Sequence, residues 1–234
     1  MAERPIFVPD QDAPGLVREI SFSIAWAGGF APVQKKKNIQ ALHAAAATGG
    51  FEDVLEISTK SDEKLGQRLS AFSLTFHSEQ LGDIPLECAY QGSKVFERGG
   101  PYTDLYDVDV RTAKRDPRLQ ETGRLTGFLF EGFRFPLEPK TVFYDWLYIN
   151  TIFPHREWLL SRLDKYSGFS DIEFNPSKSI NCQARACALF VSLMHLDVLD
   201  SSIQSPEDFI ILMRKHVRRK DAVRSVSQAD QTHF

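Results

Sequence analysis

The chain has 234 residues, 42% hydrophobic and 25% charged, which suits one compact domain of generous size, or one domain with an added segment, and excludes a need for stapling. Its formal net charge of −3 excludes a polycation, so any contact with nucleic acid must run through a local basic patch. The three cysteines, Cys88, Cys182 and Cys187, are odd in number and lack ligand spacing, which argues for a reducing compartment and against structural zinc. No metal or cofactor is expected. No stretch of about 18 apolar residues occurs. Met1-Ala2-Glu3-Arg4-Pro5 carries no apolar signal region, so a cytoplasmic protein with no membrane partner is expected. The 18 phenylalanines point either to a packed core or to flat ligands stacked in a cleft.

Residues Pro5 to Pro9 form a β-like run fenced by prolines. Val17 to Trp26 alternates weakly and reads as a second strand, broken by Gly28-Gly29. A helix is expected from near Pro32 to Thr48, stopped by Gly49-Gly50. Its three lysines are not equivalent. Lys35 aligns with Ile39 and Leu42 on the apolar face, Lys36 with Gln40 and His43 on the wet face, and Lys37 with Ala41 and Ala44 on a flank. A lysine aimed at a cleft is desolvated, which lowers its pKa and frees its amine as a nucleophile. The other reading is a basic cluster that snorkels to solvent or touches phosphate.

Val54 to Ile57 reads as a short strand, Ser58 to Gly66 as a polar loop, and Leu69 to Phe76 as an alternating segment. Pro85 pre-sets entry to a helix on which Glu87, Tyr90, Gln91 and Lys94 fall at i, i+3, i+4 and i+7. An acid, a phenol, an amide and an ammonium would then share one face, opposite Cys88, Ala89 and Gly92. That face reads either as a ligand site or as a solvated surface with an ordinary ion pair. Gly99-Gly100-Pro101 stops the helix or an extension that follows it; the loop reads as a phosphate-approaching backbone or as a plain turn. Ala113-Lys114-Arg115 precedes the break at Asp116-Pro117, its basic groups facing phosphate or pairing with Asp107 and Asp109.

Phe128 to Phe135 alternates like a strand or bent loop. Lys140 to Asn150 and His155 to Tyr166 read as helices. In the stretch from Asp171 to Asn181, Ser179 is placed as the N-cap of a helix running to about Leu196. A helix start with free amides, a serine and nearby Lys178 would cradle a pyrophosphate, with Phe174 stacked on a base or ribose; the alternative is an acidic loop with an ordinary cap. Ser205-Pro206-Glu207-Asp208 opens a last helix with Phe209, Ile210 and Met213 apolar. The basic run from Arg214 to Lys220 faces nucleic acid or complements the helix end. A disordered tail is expected from Asp221.

The run P-L-E-C-A-Y-Q-G-S-K from Pro85 to Lys94 resembles the helix motif of the NADAR (YbiA-like) family. Further runs agree: Leu55 to Lys60, Leu69 to Phe72, Ala113 to Arg115, Asp171 to Asn175 and Ser179 to Asn181. The likeness covers about Val54 to Leu196. It is greatest to the NADAR antitoxin branch paired with DarT-type guanine ADP-ribosylating toxins, through R-P-x-F-x-P, Q-K-x-K-N-I, L-E-I-S-T-K-S, G-G-P-Y, F-Y-D-W-L-Y and D-I-E-F-N-P. Two departures from classical members stand out: Phe174-Asn175 replaces Trp-Gly, and Pro176-Ser177-Lys178 replaces a glycine-lysine run.

The resemblance implies an α+β, mainly helical fold: an N-terminal extension (1–53) packed on a NADAR core with a C-terminal helix (54–216), then a basic tail (217–234). It implies an N-glycosidase that removes ADP-ribose from guanine in DNA or RNA, the antitoxin to a DarT-like toxin, with ADP-ribose as product ligand. Catalysis would fall to Glu87 and, by the antitoxin branch's lysine segment, to Lys35. Substrate binding would fall to Lys37, Ser70, Phe72, Gln91, Lys94, Lys114, Asp171, Phe174, Lys178 and Asn181. Lys35 and Lys37 lie outside the segment shared with classical members. The alternatives are an N-glycosidase of riboflavin-pathway intermediates and a non-catalytic ADP-ribose-binding module.

Overall fold

In the computed structural model, which describes residues 1–29 and 31–229 and side chains as far as residue 217, the prolines of the N-terminal segment stay within a strand. Strand β1 (Ala2–Pro9) pairs antiparallel with β2 (Val17–Ile24), in a register that sets Ile6 opposite Ile20. Helix α1 (Pro32–Thr48) has the expected bounds, with proline in its first turn and Gly49 at its C-cap. Strand β3 (Val54–Glu56) follows and is buried throughout.

The expected polar loop to Gly66 differs from what forms, because Lys64–Arg68 is a short helix, α2. Its polar residues make the turn rather than oppose it: Ser61 Oγ accepts from the Glu63 amide at 3.2 Å, and Gln67 donates to the Ser61 carbonyl at 2.7 Å. The alternating segment from Leu69 becomes a strand only at β4 (Thr75–Ser78), which forms a hairpin with β5 (Gly82–Pro85). Helix α3 (Leu86–Gly92) is followed directly by β6 (Lys94–Phe96), then α4 (Val110–Arg115) and α5 (Arg118–Glu121). Asp109 caps α4, accepting from the Arg111 and Thr112 amides.

The stretch from Phe128 to Phe135 is a hairpin of β7 (Leu125–Phe130) and β8 (Phe133–Phe135). Its turn residues Glu131 and Gly132 have φ of 47° and 78°, the left-handed pair that a tight two-residue hairpin requires. The remaining elements are α6 (Val142–Ile152), α7 (Arg156–Leu163), β9 (Gly168–Ser170), α8 (Gln183–His195), α9 (Leu199–Ser202) and α10 (Pro206–Ala229). Ser205 Oγ accepts from the Asp208 amide at 3.1 Å, capping α10 as expected. The helical backbone continues to Ala229, past Asp221, where a disordered tail was expected. The basic side chains from Arg218 to Lys220 and residues 230–234 lie outside the described part.

The result is an α+β domain. Its main sheet has the order β2-β1-β9-β3, with β9 antiparallel to β1 and parallel to β3. The N-terminal segment thus supplies two of the four strands. Alternation along β1 sends Phe7 toward the principal core, while Ile6 and Val8 meet Ile39, Leu42 and Ala46 of α1 on the other face. Helix α6 is apolar nearly all round and accordingly buried. Its Phe143 and Trp146 pack with Phe76, Phe128, Phe130 and Phe135, at ring-centroid distances of 4.7 to 6.3 Å. Many of the phenylalanines therefore serve the core.

Candidate functional site

All seven residues of α3 are buried, so the polar side of this helix is not a solvated surface. Its opposite side explains the small residues there. Cys88 donates to the Val108 carbonyl, and Gly92 lies so close to Tyr106 that a Cβ at this position would come within 2.5 Å of the ring. Held this way, α3 turns Glu87, Tyr90 and Gln91 into a cleft of about 510 Å³.

Glu87 Oε1 accepts from Gln91 Nε2 at 2.8 Å and lies 3.4 Å from the Lys114 ammonium. Lys114 also sits 4.7 Å above the Phe72 ring. It therefore faces the cleft and pairs with neither Asp107 nor Asp109. Lys94 departs from expectation: the helix ends at Gly92, and Lys94 starts β6. Its ammonium still reaches the same place, donating to Gln91 Oε1 at 2.6 Å and lying 4.8 Å from the Tyr90 ring centroid. Burial pulls Lys94 down to about 8, opposed by the attraction of Glu87 and assisted by repulsion from Lys114. The Tyr90 and Tyr144 hydroxyls are pushed above the usual phenol range, first by burial and then by the Glu87 charge.

The opposite wall comes from the segment following β9 together with the turn at Ser70. Asp171, Phe174, Lys178 and Asn181 all line the cleft, as do Ser70 and Phe72. Phe174 is 8% exposed and packs edge-on against Phe7 at 5.9 Å, so its ring is a wall and not a free flap. Asn181 donates through Nδ2 to the Tyr90 hydroxyl. Ser179 is not a helix cap: α8 begins four residues later, after Cys182, and Ser179 Oγ donates to the Asn181 carbonyl. The expected helix-terminus cradle at Ser179 is therefore replaced by an exposed loop carrying Lys178. Gly99 and Gly100 are not among the residues lining the cleft; they form a turn against β6.

Lys35 and Lys37 do not line the cleft. Lys35 nevertheless abuts it: its ammonium lies 3.2 Å from Glu173, a lining residue, and 5.9 Å from the Trp26 ring centroid. Lys36 is turned outward and pairs with Asp62, and Lys37 is exposed. The orientation of α1 is fixed by Asn38, which is fully buried. Its amide accepts from the Ala27 N–H at 2.8 Å and donates to the Ala27 carbonyl at 3.0 Å.

Several contributors were missed from sequence. Gln183 Oε1 accepts from the Ala71 amide at 2.7 Å and from Ser70 Oγ at 3.3 Å, tying two walls together. Tyr144 of α6 meets Tyr90 edge-on at 5.2 Å. Glu56, wholly buried, accepts from Ser58 Oγ, Ser170 Oγ and the Ile172 amide at 2.6 to 2.9 Å, and His43 lies 2.9 Å from Ser170 Oγ. This carboxylate pins the start of the 171–181 segment. Burial and the neighbouring Glu56 charge push Asp171 up. A glutamate at the end of a three-residue strand gives no sign in sequence that it will be buried.

Chemically, the cleft offers a carboxylate on its floor, cations on two sides and hydroxyl or amide groups between them, which suits an anionic sugar derivative. Among the described residues no cluster of three or more His, Cys, Asp or Glu is arranged for a metal, and no helix is long and apolar enough to cross a membrane. No curated protein matches the chain. A family model described as DarT1-associated NADAR antitoxin matches residues 2–223. With nearly its whole length covered, N-terminal hairpin and α1 included, the chain belongs to the DarT1-associated NADAR antitoxin family.

Proposed function

We propose that this antitoxin hydrolyses the N-glycosidic bond between ADP-ribose and guanine in nucleic acid, reversing the modification made by a DarT-like toxin. The observation that carries this reading is the buried Glu87 carboxylate, held by Gln91 and Lys114 on the floor of a cleft with Lys94 beside it. Breaking such a bond requires a proton for the leaving nitrogen, stabilisation of positive charge at the anomeric carbon, and a nucleophile there. Glu87 serves proton transfer and charge stabilisation. Lys94, Lys114 and Lys178 hold the diphosphate, while Gln91, Asn181 and Ser70 orient the sugar. Lys35 swings from Glu173 into the cleft, adds through its amine to the anomeric carbon, and forms a Schiff base with the opened ribose that water later resolves.

The test is release of ADP-ribose from an oligonucleotide carrying ADP-ribosylated guanine, beside a thymidine-modified control. Release from guanine alone is expected. No release from either would favour a riboflavin-type glycosidase or a binding module without turnover.

A further inference from the structure

A second cavity, of about 270 Å³, adjoins the main cleft. The two share Tyr90, Tyr144, Ile180 and Asn181. The hydrogen bond from Asn181 to the Tyr90 hydroxyl therefore belongs to the partition between them. The two chambers differ in chemistry. The main cleft has Glu87, Lys94, Lys114 and Lys178 in its walls, whereas the second is walled by Leu125, Phe128, Leu137, Val142 and Phe143. At its rim Leu137 is 39% exposed, beside exposed Glu138 and Lys140.

This chamber has a preorganised wall. Thr141 adopts φ of 69°, an unfavourable conformation for a β-branched residue that persists only where its surroundings impose it. Here Thr141 Oγ1 donates to Asp145 at 2.6 Å, and Arg185 bonds both Thr141 and Asp145, at 3.1 and 2.5 Å. Asp145 is 1% exposed. An ion pair between the buried Asp145 and the half-buried Arg185 thus anchors the loop that closes the chamber.

We infer that the second chamber is the subsite for the base released in the reaction, a purine drawn out of its stack, with the ADP-ribose in the main cleft. The inference rests on the glycosidase reading. A base joined directly to the anomeric carbon must sit beside the catalytic carboxylate, and Glu87 is one helical turn from Tyr90 in the partition. The adenosine lies beyond the diphosphate, away from the partition, where the half-exposed Phe72 ring under Lys114 offers a separate face for it. Flat apolar walls take the faces of a flipped base, the Asn181 and Tyr90 polar groups meet its edge, and Lys140 at the mouth meets a backbone phosphate.

The test uses the full chain with labelled methyl groups in NMR. Guanosine, added with ADP-ribose already saturating, is expected to shift the Leu137, Val142 and Leu125 methyls. Leu137→Trp, which fills the mouth from an exposed position, is expected to lower kcat/KM on the modified oligonucleotide by about tenfold or more, with the Kd for free ADP-ribose unchanged. Three results would overturn the inference: no methyl shift with guanosine, exclusion of guanosine by ADP-ribose, or equal loss of ADP-ribose binding in the variant. Failure of the glycosidase reading shows itself separately, as absence of ADP-ribose release by the unaltered protein, and leaves the guanosine titration decisive for the chamber.

Discussion

Gln91 donates from Nε2 to Glu87 at 2.8 Å, in an orientation fixed by Lys94, whose ammonium occupies the Gln91 amide oxygen at 2.6 Å. Three side chains from α3 and the start of β6 thus form one ordered polar chain. Removing the carboxylate charge while keeping its shape separates chemistry from binding. Glu87→Gln should lower the rate of ADP-ribose release by about 10²- to 10⁴-fold, the usual range for a positioned acid–base group, while binding of free ADP-ribose persists. Calorimetry beside a single-turnover assay measures both; an unaltered rate would remove Glu87 from the reaction.

The lysines of α1 face different ways, and borohydride can tell them apart. Lys35 lies against the cleft through Glu173, and Lys36 pairs outward with Asp62. Lys35→Ala should abolish a reductively trapped adduct with the ADP-ribosylated oligonucleotide, and Lys36→Ala should retain it. Mass spectrometry of the trapped protein reads the outcome, and the opposite pattern would refute Lys35 as the amine.

Lys94 makes the cleft sensitive to mild alkali. Burial lowers it from the ordinary 10.5 to about 8. The ammonium is then present below about pH 8 and lost above it, so affinity for ADP-ribose should fall, by about tenfold for one charge-assisted bond, as pH rises through that value. Stability runs the other way. Between about 8 and 10.5 the unfolded chain binds more protons than the folded one at this site, so its contribution rises with pH across that window. Lys94→Gln should flatten both dependences, measured by titration calorimetry and by melting at several pH values. A parallel decline in the variant would assign the effect to another group.

Gly92→Ala should destabilise the fold by about 1–3 kcal/mol, because the new methyl would meet the Tyr106 ring at 2.5 Å. A thermal melt should shift down by several degrees. An unchanged melt would mean that α3 can withdraw from Tyr106 without cost.

Helix α1 was legible in sequence because local signals bound it: a proline at its start, two glycines at its end and an apolar stripe between them. The facing of Lys35 and Lys36 followed from the same periodicity. The α3 motif was legible as chemistry, and Gln91 and Lys94 do converge on Glu87, yet the helix stops before Lys94 because Lys94–Phe96 pairs as a strand with β7. That pairing is tertiary and leaves no local trace. Ser179 fitted a capping pattern, but the 171–181 segment is held by Glu56 and by the Asn181–Tyr90 bond, both distant in sequence, and these delay the helix. Gln183 and Tyr144 read as ordinary helix residues, since only the fold reveals which side of a buried helix meets a cavity.

The pairing of β9 has a consequence for the order in which this protein becomes competent. Ser170 lies opposite Ile6 on one side and Glu56 on the other, and the cleft wall hangs from the strand it ends. While the chain is being synthesised, the first hairpin and β3 emerge before β9, the strand that lies between β1 and β3, so they cannot complete the wall until it follows. Competence would then begin only once β9 is in place, so a stalled or proteolytically shortened copy lacking β9 would be inert.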